Sequence, residues 1–474
     1  LQDNIAPKEE KITSNSVSIK LGADTLRWLQ VIAVSLVSMA AFETVAVTTA
    51  MPYVMEDLQG EYLYALASGI ALATQVITTG LAGKWCDTKG PHPALYTGLI
   101  LFISGLLIAT FSPNAEMLVL GRGIQGLGGG LLIVPLYVLA GHYIPPEKQA
   151  NFFASLAAAW VLPALVGPAI SGALVEYVHW RWVFGITPFV ILAFLPLIII
   201  KVRAFPHLAD PQKLQNFPRV IFLALGTGIA VSGLQILSGV KAENFSALHF
   251  LGILLLTSCC FLAVRPLLPP HTLRAGRGLP ASVLYRGMMN GAYVAVELFL
   301  PLLLKNVHNF SPTRAGIVLT IGSVTWAAGS FLQGKIHNPN WRKKMPLIGS
   351  TMQIIGIFLT LPGIFPAVPG EVVFAGWLIA SLGVGIIYPG ITVYALALTP
   401  KENHGRTSSA LQILDSLGAA ICIAYAGIIF ALCRSLGVYA FGPTIGALVI
   451  FAVFALLIGQ RIQKPGSTTF SITF

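Results

Sequence analysis

The chain has 474 residues, 55% of them hydrophobic and only 10% charged, with a mean hydropathy of +0.78. Soluble domains carry about 25% charged residues, so this composition excludes an ordinary soluble protein and points to a polytopic membrane protein. The formal net charge of +11 does not indicate a nucleic-acid partner, because the basic residues occupy alternate short connections between apolar runs and form no basic–aromatic patch.

A membrane-spanning helix takes about 20 apolar residues. Fourteen stretches qualify, with apolar cores at Trp28–Ala50, Leu63–Leu81, Ala94–Phe111, Met117–Leu139, Phe152–Leu174, Trp182–Ile200, Val220–Ile236, Leu248–Val264, Gly287–Leu304, Ala315–Leu332, Pro346–Leu361, Val373–Leu398, Ser409–Leu432 and Phe441–Ile458. The eighth is the shortest in prospect, closed by Arg265 and the Pro269–Pro270 pair. No cleavable signal segment is expected ahead of the first span, since the first 26 residues are polar. Of the 29 Lys and Arg, 23 fall on one set of alternate connections and 5 on the other, with Arg122 inside a helix. Such an asymmetry places both termini in the cytoplasm. The five cysteines show no metal-ligand spacing and are expected to be unpaired, with Cys86 in a cytoplasmic loop.

The sequence repeats itself. LAGKWCDTKGPHPALYTG (Leu81–Gly98) after the second span aligns with LQGKIHNPNWRKKMPLIG (Leu332–Gly349) after the tenth, matching Gly83–Lys84 to Gly334–Lys335. Pro135 and Pro389 lie 254 residues apart, as do Glu43 and Glu297. The expected fold is therefore all-α, with two related six-helix bundles and an inserted two-helix hairpin. The expected division is a cytoplasmic tail (1–26), an N-terminal bundle (27–203), a linker with helices 7 and 8 (204–268), a C-terminal bundle (269–460) and a second cytoplasmic tail (461–474). Parallel repeats of this kind build one large class of transporters, with substrate near the midplane between the halves.

Four charged side chains fall well inside the spans: Glu43, Arg122, Glu297 and Asp415. A charge at the bilayer centre costs about 2.5–3.5 kcal/mol on insertion scales, so each needs a partner or a function. In the fourth span, GRGIQGLGGG puts Arg122, Gln125, Gly126 and Gly129 on one helical face. In the fifth, VLPALVGPAISG puts Pro163, Gly167 and Ser171 on one face, with Pro168 freeing a backbone carbonyl and Gly172 following. Faces of small residues permit close helix approach, which serves either a rocking motion or plain tight packing.

These motifs resemble the major facilitator superfamily, specifically its 14-span drug:proton antiporter branch, over essentially the whole chain. Arg122, Gln125 and Gly126 match the helix 4 motif, and Gly167, Pro168 and Gly172 match the antiporter motif of helix 5. WRWVF (Trp180–Phe184) resembles the start of helix 6, and FETVAVTTAMP (Phe42–Pro52) the helix 1 motif, with Glu43 where the branch has Asp. After helix 2, Gly83, Asp87 and Gly90 match the superfamily loop signature, while Thr88, Pro91 and His92 replace its basic residues. The resemblance implies that Asp87 latches the halves; the second copy carries Asn338 instead, so the latch is expected on one side only.

What the resemblance implies is proton-coupled export of amphipathic or cationic small molecules by alternating access. It implies no cofactor beyond the proton gradient, and a monomer in the cell membrane whose partners are lipid, protons and substrate. At ~1.5 Å rise per residue, Glu43 and Arg122 fall at compatible depths and are expected to pair. Burial and a nearby guanidinium act on a carboxylate in opposite senses, so a conformational change can load and unload a proton. Glu43 and Asp415 are the leading proton-binding candidates, with Arg122 tuning Glu43. Glu297 suits recognition of a cationic substrate or a second proton site, and Gln125 and Trp160 are further substrate-binding candidates. The second half has Gly376 at the offset of Arg122, so its two acids are expected to lack a built-in cation. A structural reading stands beside each: a fixed Glu43–Arg122 pair, a snorkelling Glu297, a packing contact at Asp415, and an interfacial Glu176. Within transport, the alternative is export of an endogenous lipid or metabolite; outside it, a non-transporting receptor or scaffold. A membrane enzyme is disfavoured, since no HExxH, GxSxG or phosphate-loop motif occurs.

Overall fold

The computed structural model describes residues 23–205, 217–336, 338–400 and 404–462. They form fourteen helices long and apolar enough to cross a membrane. In chain order these are α1 (Ala23–Asp57), α2 (Tyr64–Lys89), α3 (Pro91–Thr110), α4 (Ala115–Tyr143), α5 (Pro146–Tyr177), α6 (Arg181–Arg203), α7 (Phe217–Ser238), α8 (Ala247–Val264), α9 (Leu279–His308), α10 (Pro312–Lys335), α11 (Pro339–Thr360), α12 (Val372–Ala397), α13 (His404–Leu432) and α14 (Phe441–Gly459). An even number of crossings returns the chain to its starting side, so Ala23 and Gly459 lie at one end of the bundle, here the terminal end.

Most helices outrun their apolar cores, because intrahelical hydrogen bonding continues into polar sequence beyond the hydrocarbon. The stretch after the second span, expected to be a loop, is helical to Lys89, and Cys86 is buried within α2 rather than looped. The chain then turns at Gly90, whose φ of 82° is strained for any residue with a side chain. Asn338 caps α11, its side chain accepting from the Asn340 backbone N–H at 2.9 Å. The side chain of Asp87, the expected latch, lies outside the described positions.

The two halves share one packing plan. α3 packs on α4 as α11 does on α12, α2 on α4 as α10 on α12, α1 on α5 as α9 on α13, and α3 on α6 as α11 on α14. Glycines set the closest crossings. A Cβ on Gly105 would lie 2.3 Å from the Gln125 backbone nitrogen and 2.6 Å from the Gly121 carbonyl oxygen; one on Gly356 would lie 2.3 Å from the Ala380 nitrogen and 2.6 Å from the Gly376 oxygen. These matched crossings pair Gly121 with Gly376, which puts Trp377 in the second half where the first has Arg122.

Between the halves, α5 meets α10 and α2 meets α13. The helix 5 motif lies in the first of these contacts. A Cβ on Gly172 would strike the Pro312 carbonyl oxygen at 2.5 Å, and one on Gly316 would strike the Pro168 carbonyl oxygen at 2.3 Å, while Gly167 faces Val45 of α1. α7 packs against both α2 and α13, and α8 packs on α7. The inserted hairpin is therefore docked on the α2/α13 side of the bundle.

Among the described residues, hydrogen bonds and ion pairs joining the halves cluster at the end opposite the termini. Tyr53 donates to the Phe310 carbonyl at 2.8 Å. Lys305 donates to the Pro52 carbonyl at 2.8 Å and pairs with Glu56 at 2.6 Å. Glu176, read from sequence as interfacial, accepts from the Thr313 backbone N–H at 3.1 Å, spanning α5 and α10. The bundle is closed at this far end.

Gly105→Val is expected to lower the unfolding midpoint sharply in detergent, since overpacking a tight contact costs about 1–3 kcal/mol or more. Gly446→Ala in α14, where no atom lies within 4 Å of the new Cβ, should leave the midpoint unchanged or slightly raised. Equal behaviour of the two variants would refute the crossing assignment.

Candidate functional site

Charged groups inside the spans form three sites. In the first half, Glu43 of α1 is only 1% exposed, and neither of its carboxylate oxygens meets a hydrogen-bond partner among the described residues. The polar groups that act on it are the Arg122 guanidinium of α4 and the Thr187 hydroxyl of α6. The expected Glu43–Arg122 ion pair is not formed. Arg122 instead donates through Nη1 to Gln125 Oε1 at 2.5 Å and through Nε to the Ala67 carbonyl of α2 at 3.4 Å. The reason is local geometry: Gln125 stands one turn along the same face, nearer to hand than a carboxylate on another helix. Gln125, a substrate candidate from sequence, is buried and serves as the partner of Arg122. Gly126 lets α4 close on α2, since a Cβ there would lie 2.2 Å from the Ala71 carbonyl oxygen; at Gly129 the nearest atom is 3.9 Å away, so no such requirement exists.

The second half corrects a further expectation. Its acids do not both lack a cation, because Arg286, assigned from sequence to a connecting loop, lies inside α9 and is 8% exposed. Arg286 Nε donates to both oxygens of Asp415 on α13, at 3.0 and 2.9 Å, and Nη2 donates to Asp415 Oδ2 at 2.6 Å. Nη2 also donates to the Tyr388 hydroxyl at 2.8 Å, and Nη1 to the Thr392 hydroxyl, both on α12. Tyr388 in turn donates to Asp415 Oδ2 at 2.8 Å. Asn290 reaches the Asp415 backbone carbonyl at 3.4 Å. One buried ion pair, fully furnished with hydrogen bonds, thus ties together α9, α12 and α13. Sequence reading missed Arg286 because the apolar core was begun at Gly287; the apolar run Ala281–Tyr285 before it was the signal that the helix starts earlier.

Glu297 of α9 lies about 16 Å along the helix from Arg286 at ~1.5 Å per residue. It is half-buried and forms no hydrogen bond or ion pair among the described residues. One turn before it, Tyr293 stacks on Trp377 at 4.5 Å between ring centroids and meets the edge of Trp326 at 5.0 Å. Trp326 continues to Tyr388 at 5.3 Å. An aromatic chain therefore runs from the level of Glu297 down to the Arg286–Asp415 pair. Trp160 of α5 is 40% exposed and is not part of this set. Pro163, Gly167, Pro168 and Gly172 are buried, the last two against α10.

Residues 32–422 match the model of the Major Facilitator Superfamily, and residues 292–471 match it a second time. The chain is 24% identical over 416 residues to MFS transporter L2 of Phoma sp., covering 83% of this chain and 68% of that protein. It is 25% identical over 412 residues to the acurin A biosynthesis cluster MFS-type transporter of Aspergillus aculeatus (83% and 73% covered). With the multidrug transporter protein MdtP of Bacillus subtilis it shares 24% over 400 residues (82% and 72% covered). Among solved structures, a POT family transporter in complex with 5-aminolevulinic acid superposes with a TM-score of 0.68 at 13% identity, covering 92% of this chain and 97% of that one. A bacterial homolog to the human lysosomal transporter Spinster, in an inward-facing and occupied conformation, superposes with a TM-score of 0.61 at 15% identity, covering 93% and 97%. At these identities the structural likeness speaks to the fold.

Breaking the Arg286–Asp415 pair from either side should destabilise the protein by about 3–5 kcal/mol, because one buried charge is left uncompensated. The double variant Arg286→Met/Asp415→Leu should be less destabilised than either Arg286→Met or Asp415→Leu. Equilibrium unfolding in detergent measures this; additive losses would contradict the pairing.

Proposed function

We propose, from the premise that this chain belongs to the Major Facilitator Superfamily, that it is a proton-coupled transporter exporting a small organic metabolite by alternating access. The observation that carries this reading is the division among the buried charges. Arg122, Arg286 and Asp415 are each held by hydrogen-bonded polar partners, whereas Glu43 and Glu297 are carboxylates inside the bundle with no ion pair among the described residues, and near Glu43 only the Arg122 charge and the Thr187 hydroxyl act. A carboxylate whose charge is not fixed by a partner is the group able to take up and release a proton as its surroundings change. Glu43 is assigned the proton, with Arg122 and Thr187 setting its electrostatic surroundings. Asp415, a proton candidate from sequence, is reassigned to holding Arg286. Glu297 is assigned to substrate, or to a second proton when the substrate is neutral.

Orientation follows from the basic connections, which put the terminal end in the cytoplasm. The closed far end then faces outside. Opening the far end requires parting α5 from α10 and α1 from Lys305. The backbone-to-backbone contacts at Gly172 and Gly316 supply a small, unobstructed surface for that motion. One elementary charge moved across 100 mV is worth about 2.3 kcal/mol, enough to bias such an exchange.

Multidrug-type export of amphipathic cations, in the drug:proton antiporter branch, is the second reading. It is favoured by Glu297 one turn from Tyr293, whose ring meets Trp326, since aromatic faces and a free carboxylate both attract organic cations. The relatives divide in the same way, one named for a biosynthesis cluster and one for multidrug transport. The working unit in either case is a monomer in the cell membrane that needs no cofactor besides the proton gradient.

Proteoliposomes with an imposed pH gradient test the proposal. Wild type should move substrate only while the gradient stands. Glu43→Gln should lose gradient-driven flux but keep substrate exchange at equal pH. Glu297→Gln should raise KM for cationic compounds by about tenfold, the equivalent of ~1.4 kcal/mol. Full proton-coupled flux in Glu43→Gln would remove Glu43 from its role. Flux indifferent to the gradient across metabolites and organic cations would overturn the proposal.

A further inference from the structure

The far end of the bundle holds a pocket of ≈ 840 Å³, within the range of about 300–1,000 Å³ that small-molecule sites occupy. Neither Glu43 nor Asp415 lines it, Phe299 of its wall stands two residues along α9 from Glu297, and its walls come from three sources. The first half contributes Tyr64 at the start of α2 and Glu61 just before it; the second contributes Phe299 of α9 and Phe430 of α13; the inserted hairpin contributes Lys241 and Glu243 from the turn between α7 and α8.

The floor is aromatic. Tyr64 meets Phe299 edge-on at 5.8 Å, and Phe299 meets Phe430 at 5.5 Å. The rim is charged, and most of its charges already have partners: Glu61 pairs with Arg434 at 3.0 Å, and Glu56 with Lys305 at 2.6 Å. Two do not. Glu243 is exposed without an ionic partner among the described residues, and Lys241 has only the Tyr62 ring, 5.4 Å from its ammonium. The mouth of an apolar pocket thus offers one free carboxylate and one free ammonium on the same short turn.

We propose that this pocket binds an amphipathic zwitterion. The apolar body lies on the Tyr64–Phe299–Phe430 floor, the anionic group faces Lys241, and the cationic group faces Glu243. The hairpin is rigidly placed for the task. Gln235 of α7 is fully buried and donates to the Ala420 carbonyl of α13 at 2.6 Å, while Thr257 of α8 bonds the Tyr425 hydroxyl at 2.7 Å. The site also exists in one conformation only. Tyr64 donates across the halves to the Leu298 carbonyl at 2.5 Å, and Arg434 reaches across to Glu61; opening the far end takes the floor apart. A ligand held there favours the closed state and slows turnover, because it binds one of two exchanging states.

The probe is Nα-dansyl-lysine, an environment-sensitive fluorophore carrying a free carboxylate and a free ammonium, titrated onto the full chain in lipid nanodiscs. Wild type should show saturable enhancement. Lys241→Gln and Glu243→Gln should each weaken binding by about fivefold, the upper range for exposed charge pairs. Phe430→Ala should weaken it by about tenfold or more through lost apolar contact. The two rim positions are exposed, so unchanged melting temperatures will separate lost binding from lost fold even if Phe430→Ala unfolds. Gly446→Ala, in α14 and outside the pocket lining, should bind the probe as wild type does. Absence of saturable binding, rim variants that bind normally, or loss of binding in Gly446→Ala would each overturn the proposal. Because the readout is binding, it stands or falls independently of proton-coupled export.

Discussion

A polar group inside an apolar bundle has no water to turn to, so the protein must supply its partner or leave it reactive. That constraint organises this molecule. Arg286 and Asp415 satisfy each other and recruit Tyr388 and Thr392, so a pair that would be costly alone becomes a fastening between α9, α12 and α13. Arg122 is satisfied more modestly, by a side-chain amide and a backbone carbonyl. Glu43 and Glu297 are left over. Paired charges fix helices relative to one another, and unpaired carboxylates are where protonation can change without dismantling the fold.

The two halves show that backbone and chemistry diverge at different rates. Their crossings repeat down to the glycines, with Gly105 against Gly121 in one and Gly356 against Gly376 in the other. Yet the residue after the second of these glycines is Arg122 in the first half and Trp377 in the second. Close approach of helices leaves no latitude at the glycine. The next position points elsewhere and is free to carry a cation or an aromatic ring. With its cation absent from α12, the second half takes one from α9 instead. The result is a near-symmetric scaffold with an asymmetric charge distribution.

The spans were legible in the sequence because hydrocarbon thickness fixes the length of an apolar run, and all fourteen stretches appear as helices. Their ends were not legible, because helices such as α2 and α11 continue into polar sequence that hydropathy assigns to loops. Candidate residues fared according to how local their partners are. The shared face of Arg122 and Gln125 was readable from i, i+3 spacing, and the two do meet. Depth arithmetic placed Glu43 level with Arg122 but carried no information about lateral separation, so it promised an ion pair that a nearer amide forestalls. Arg286 and Asp415 are 129 residues apart, and nothing along the chain announces that α9 and α13 bring them together.

The inserted hairpin breaks the symmetry that the two halves otherwise keep. The α5/α10 contact is direct, backbone against backbone at Gly172 and Gly316, whereas beside the α2/α13 contact lies a third helix bonded into the seam. α7 presents Gln235 to both sides at once: its amide nitrogen donates to Ala420 of α13, and the same side chain fills the space a Cβ would need on Gly69 of α2. Other close contacts along α7 include Ala224 on Gly80, Ser238 on Gly427 and Ile77 on Gly228. Small residues let surfaces slide, while a buried hydrogen bond resists separation because an unsatisfied carbonyl in an apolar setting is costly. Among the described residues, α7 is thus tied to α13 by its buried donor and meets α2 through close packing, so the hairpin bridges the seam between the halves.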